Sequence, residues 1–186
     1  MRLLHTSDWH LGKSAGNRSL KEDQEHFLDS ICNIIKKECV DAVLVSGDIF
    51  DRSIVPAEAV AVYDRVMTKL CHGLGVKVLV IAGNHDSGER LASCHELLSD
   101  AGLYVAGHLT RECRKIMFED TEIFLLPWIT TERVRSVYPE YKEGIQTMED
   151  AYRIVCDEIR KQFTQGKRHI LMAHAFLTNA RSEEHT

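Results

Sequence analysis

The sequence has no paired-cysteine motif, no long apolar run and no excess of positive charge. Its six cysteines, Cys32, Cys39, Cys71, Cys94, Cys113 and Cys156, are scattered, without a CxxC pair or zinc-ribbon spacing. A disulfide framework and a cysteine-zinc site are therefore not expected, and the thiols read as small, buried or half-buried groups in a reducing compartment. No stretch approaches the ~20 apolar residues of a membrane helix. The segment Met1 to Thr6 enters an apolar strand without a secretory core. A cytoplasmic protein with no membrane partner is expected. The formal net charge is −5, so no global basic field is available to hold nucleic acid. This argues against a stand-alone DNA-binding module. It weighs less against an enzyme whose metal ions meet the phosphate directly.

What is present is an ordinary globular composition and 186 residues, enough for one domain whose core needs no covalent staple. Four polar clusters each follow an apolar run. They are Asp8-Trp9-His10 after Leu3-Leu4, and Gly47-Asp48-Ile49-Phe50-Asp51 after Val43-Leu44-Val45. Gly83-Asn84-His85-Asp86 follows Val78-Leu79-Val80-Ile81, and Ala173-His174 follows Ile170-Leu171-Met172. In an open α/β sheet the strand ends converge on one crevice, where ligands bind. Residues distant in sequence can then meet at one edge. Carboxylate and amide oxygens mixed with imidazole suit divalent first-row ions such as Mn²⁺. Two such ions a few Å apart commonly cleave phosphate esters.

The remaining pattern alternates strands and helices. Strands are expected at Arg2–Thr6, Asp41–Ser46, Val76–Ala82, Gly102–Ala106 and Arg168–Ala173. A hairpin is expected around Glu119-Asp120. Helices are expected at Asp23–Lys37, with Phe27, Ile31, Ile34 and Ile35 inward, and from Pro56 to about Leu74, with Val60, Tyr63, Val66, Met67 and Leu70 inward. Further helices are expected from Ser87 or Gly88 to Ala101 and over Met148–Phe163. The order predicts a parallel sheet with helices on its faces, continuing into a mixed or hairpin region. The polar tail Asn179–Thr186 follows the last strand without another packed element.

Each cluster also has a plainer reading. Residues two apart in extended backbone point the same way, so Asp8 can bridge two ions while His10 binds one. An Asp cap beside a surface His would look the same. Asp48 is a candidate bridging carboxylate, whereas Asp51 reads as a cap of the next turn. Asn84 offers a carbonyl oxygen. His85 titrates near working pH and suits a proton donor or a stabiliser of charge on phosphate. Asp86 can hold one nitrogen of that imidazole and fix its tautomer. His174 gains weight only from the other clusters. His5, His26, His72, His95, His108, His169 and His185 read as structural or solvated, and Trp9, Phe50 and Trp128 as packing residues.

Together the motifs D-x-H, G-D-x-x-D, G-N-H-D and a later His resemble the calcineurin-like metallophosphoesterase superfamily. The runs Leu4–Gly12, Gly47–Asp51 and Gly83–Ser87 are similar to its double-strand-break repair nucleases. The resemblance covers Arg2 to about Leu177. It implies a layered α/β sheet-and-helix fold over residues 1–186, incomplete before a final Gly-His-x-His motif. It implies Asp8, His10, Asp48, Asn84 and His174 as ligands of two divalent ions, Mn²⁺ or else Mg²⁺, with Asp48 bridging. It implies His85 as the catalytic histidine, assisted by Asp86. It further implies exonuclease and endonuclease action on DNA, an SMC-like coiled-coil ATPase partner, and a homodimer of nuclease subunits within a heterotetramer. A phosphatase of small esters, or an inactive fragment, are the competing expectations.

Overall fold

In a computed structural model the chain is described over residues 1–176. The polar tail and His185 lie outside the described residues. The elements are β1 (Leu3–Thr6), β2 (Ser14–Ala15), β3 (Arg18–Ser19), α1 (Lys21–Glu38), β4 (Ala42–Ser46) and α2 (Ala57–Thr68). Then come β5 (Lys77–Ile81), α3 (Gly88–Leu91), α4 (His95–Asp100), β6 (Leu103–Ala106), β7 (Lys115–Phe118) and β8 (Thr121–Leu126). The series closes with α5 (Thr131–Val137), α6 (Met148–Arg160) and β9 (Arg168–Ala173).

Two main sheets result. One is fully parallel, in the order β1-β4-β5-β6. The other has the order β7-β8-β9, with an antiparallel hairpin and a parallel third strand. One face of each sheet packs on the other sheet, through Leu44, Leu79 and Ile81 against Ile123, Leu125 and Met172. The outer face of the first sheet, with Val43, Val45, Val78 and Val80, is covered by α1 and α2. The outer face of the second, with Phe124 and Leu126, is covered by α5 and α6. The expectation of helices on both faces of one sheet thus becomes a four-layer stack. The unbroken apolar runs of β4 and β5 fit it because both of their faces are covered. Truncating such a buried residue to alanine typically costs about 2–5 kcal/mol.

Several helical details differ from expectation. In α1 the buried stripe is Leu28, Ile31, Cys32 and Ile35, while Phe27 and Ile34 face solvent. Both stripes satisfy the helical period, and packing against the sheet selects the one that includes Cys32. In α2, Ala59 and Val62 face inward and Val60 does not. That helix stops at Thr68 and widens into a π turn, Lys69–Gly73. Pro56 stands just before α2 in extended backbone rather than within it. The helix expected up to Ala101 is broken at Cys94, whose φ is 57°. α6 begins at a capping box in which Thr147 and Asp150 satisfy each other's backbone N–H groups. α5 and the β2–β3 hairpin have no strong periodic signal in the sequence. No helix among the described residues is long and apolar enough to cross a membrane.

The outer face of the second sheet holds one buried carboxylate. Glu122 on β8 accepts hydrogen bonds from Lys115 Nζ (2.8 Å), Thr164 Oγ1 (2.6 Å) and the Thr164 backbone N–H (3.0 Å). The bonds from Lys115 and then Thr164 hold its carboxyl down to about 2. The network ties β8 to the chain between α6 and β9. Its folded pKa lies below the ordinary 4.5, so its stabilisation is complete above about pH 4.5 and fades as the pH falls toward 2. Glu122→Gln should therefore lower the urea midpoint at pH 7, and the gap from wild type should close at pH 3. A gap independent of pH would contradict the assignment.

Candidate metal centre

The C-terminal ends of β1, β4, β5 and β9 open on one side of the stack, and all four polar clusters sit there. The first two loops run side by side. Asp8 N–H donates to the Gly47 carbonyl (3.0 Å), His10 N–H to the Asp48 carbonyl (3.0 Å), and Leu11 bridges to Phe50. Gln24 of α1 clamps the first loop from behind, its Nε2 donating to the carbonyls of His10 (2.7 Å) and Trp9 (3.2 Å). Asp8, His10 and Asp48 all have positive φ, 55°, 44° and 51°. Side chains rarely adopt that region, and such strain concentrates at functional sites.

Asp48 stands at the centre and is only 4% exposed. Its Oδ2 is 3.8 Å from His10 Nε2, 3.6 Å from His174 Nε2 and 4.0 Å from His85 Nε2. Its Oδ1 accepts the His85 backbone N–H (3.0 Å). Asp8 Oδ1 is 3.8 Å from His10 Nε2, and Asn84 Oδ1 is 3.1 Å from His174 Nε2. Two groups of ligand atoms, each within 4.8 Å of one another, share Asp48: His10–Asp48–His85 and Asp8–Asp48–His174.

The donor chemistry fits cations. His174 Nδ1 faces the Ser46 carbonyl at 2.8 Å. A carbonyl only accepts, so Nδ1 carries the proton and Nε2 turns a lone pair toward Asp48 and the Asn84 oxygen. His85 Nδ1 faces the Asp51 carbonyl at 2.9 Å, which sets the same tautomer. Acceptors converge on acceptors here, an arrangement that a shared cation resolves. His10 Nδ1 is buried without a hydrogen-bond partner, and the nearest carboxylate oxygen, on Asp51, is 3.7 Å away.

Two glycines permit this crowding. A Cβ on Gly47 would lie 2.5 Å from His174 Nδ1, and its φ of 89° already disfavours a side chain. A Cβ on Gly83 would lie 2.1 Å from Asp48 Oδ1.

The structure thus brings Asp8, His10, Asp48, Asn84, His85 and His174 together around one cavity of about 430 Å³. Asp86 lies behind it. Its carboxylate accepts the backbone N–H groups of Gly83 (2.8 Å), Phe50 (2.9 Å) and Ile49 (3.1 Å). It does not hold the His85 imidazole as expected, because three backbone donors claim it first. Burial pushes its pKa up, against the pull of those bonds. The role foreseen for Asp86 falls to Asp51, through its carbonyl. Asp51 therefore does more than cap a turn.

Other contributors have no clear mark in the sequence. His5 Nε2 lies 2.9 Å from the Ser46 hydroxyl, and both line the cavity. Trp128 and Phe176 stand on its rim. Trp128 does carry a legible signal, since it follows a strand end as the other clusters do.

A family model described as calcineurin-like phosphoesterase matches residues 1–185. A relative from Staphylococcus epidermidis, named as the SbcD component of the nuclease SbcCD, is 27% identical over 184 residues, covering 99% of this chain and 49% of the relative. A protein of the same name from Staphylococcus saprophyticus is 25% identical over 174 residues, covering 94% of this chain and 46% of the relative. The chain spans about half the length of these curated relatives. Among solved structures, Pseudomonas putida nuclease MPE aligns with 66% of this chain and 52% of its own, at 20% identity and a TM-score of 0.40.

Gly47→Ala should displace the His174 imidazole and weaken Mn²⁺ binding at least about tenfold, as loss of a ligand's support does. Calorimetric titration checks this, and unchanged affinity would show that the close approach is unnecessary.

Proposed function

We propose that this chain, which belongs to the calcineurin-like phosphoesterase family, carries the dinuclear centre of a DNA nuclease. The observation that supports it most is the shared, buried Asp48 between two groups of ligand atoms. Asp8, His10 and Asp48 would hold one divalent ion, and Asp48, Asn84 and His174 the other. Ions such as Mn²⁺ or Mg²⁺ at that position lower the pKa of water and take up negative charge on phosphate oxygens. Asp48 keeps the two halves in register, since it reaches both. His85, its Nδ1–H fixed by the Asp51 carbonyl, turns Nε2 into the cavity. From there it can stabilise charge on a phosphate oxygen, or, once protonated, pass a proton to the departing oxygen. Asp86 holds the Gly83–His85 loop against the Ile49–Phe50 backbone and so positions His85 indirectly.

The substrate we infer is a DNA phosphodiester, cleaved as exonuclease and endonuclease during processing of broken ends and hairpins. The names of the two relatives support this, and they also support a complex in which this chain pairs with SbcC, an SMC-like coiled-coil ATPase. A homodimer of nuclease subunits within a heterotetramer belongs to the same reading. A cytoplasmic setting fits the six free cysteines. A second reading, hydrolysis of small phosphate esters, is favoured only by the net charge of −5, which supplies no field for a polyanion.

His85→Ala should reduce Mn²⁺-dependent cleavage of linear duplex DNA by about 10²-fold or more while Mn²⁺ binding persists. Asp48→Asn should lose both. Equal cleavage by the first variant would remove His85 from the chemistry. Faster turnover of a chromogenic phosphate monoester than of DNA would favour the second reading.

A further inference from the structure

The candidate cavity is polar on one side and aromatic on the other. Trp128 is half-buried and meets His174 edge-on, with ring centroids 6.0 Å apart. Phe176 is 82% exposed and meets Trp128 at 5.5 Å and 85°. Both rings also line a neighbouring groove of about 590 Å³ along α6, walled by Met148, Tyr152 and Cys156. They therefore form a ridge where a site of carboxylates and imidazoles passes into an apolar groove. A phenyl ring so open to water, beside the ligand cluster, is a surface with apolar contact still to make.

What would cover the ridge must carry a phosphate on one side and a flat apolar face on the other. The cationic groups of the groove are already paired: Arg153 with Glu149 and Asp150, and Arg160 with Asp157. With a net charge of −5 as well, affinity here has to come from stacking rather than from charge. A nucleotide whose phosphate sits at the ligand cluster has such a face within one residue's reach. We propose that Trp128 and Phe176 form a stacking seat for the nucleobase adjoining the scissile phosphate. This rests on the phosphodiesterase reading and deepens it. A base can stack on protein only when its face is bare, so the site takes a single-stranded or splayed end in preference to paired duplex. Trp128 is then a specificity residue rather than packing.

The chain has two tryptophans, and Trp9 is buried at 4% exposure, so a ligand on the ridge changes the emission of Trp128. The full chain, in EDTA to prevent cleavage, is titrated with a single-stranded oligothymidylate and separately with inorganic phosphate. The oligonucleotide should quench Trp128 saturably and phosphate should not. Phe176→Ala should weaken oligonucleotide binding by at least about fivefold, Phe176→Tyr should restore it, and the salt dependence should be the same in all three. In Mn²⁺-dependent cleavage the Phe176→Ala loss should fall on KM rather than on kcat. No quenching, or equal affinity in Phe176→Ala, would overturn the seat. The binding assay needs no metal and no turnover. Stacking without any Mn²⁺-dependent hydrolysis would therefore refute the phosphodiesterase reading and leave the seat standing, whereas hydrolysis indifferent to Phe176 would do the reverse.

Discussion

A carboxylate buried beside three imidazoles and no paired cation is the constraint on which the site depends. Burying an ionised carboxylate is costly unless it is hydrogen-bonded or paired. Asp48, 4% exposed, has the His85 N–H on Oδ1 and only imidazole nitrogens near Oδ2. The imidazoles of His174 and His85 are oriented by backbone carbonyls so that their lone pairs, not their protons, face inward. The protein thus assembles acceptors around a point and supplies no donor to match them. A divalent cation satisfies that arrangement better than any protein group in reach.

Holding these acceptors together requires a stiff frame. Three non-glycine residues with positive φ cost roughly 1–3 kcal/mol each. The frame that offsets this is the stack of two sheets, whose strands β4, β5 and β8 are buried almost throughout. Asp86 then joins the Gly83 turn to the Ile49–Phe50 backbone with three hydrogen bonds, and Gln24 joins α1 to the Trp9–His10 backbone. Loops that would otherwise move independently are locked to one another and to the sheet.

The strands are legible in the sequence because unbroken apolar runs such as Val78–Ile81 have few alternatives to a covered strand, and the clusters that follow them therefore converge as expected. The facing of α1 is not legible, because Phe27–Ile34 and Leu28–Cys32 satisfy the same helical period and only the sheet chooses between them. The division of labour between Asp51 and Asp86 is also hidden. A backbone carbonyl has no sequence signature, and which carboxylate meets which donor depends on how two loops fold across each other. In the sequence Trp128 reads as packing, because an aromatic residue after a strand is usually that. Only the position of Phe176 and the neighbouring groove reveals the ridge.

The central claim is that this chain builds a dinuclear site around Asp48. It is tested most directly by titrating the metal-free chain with Mn²⁺ while recording electron paramagnetic resonance. Two ions bound per chain, with the signal of isolated Mn²⁺ giving way to that of a coupled pair, is the predicted result. Binding of no ion, or of two ions that never couple, would contradict the account.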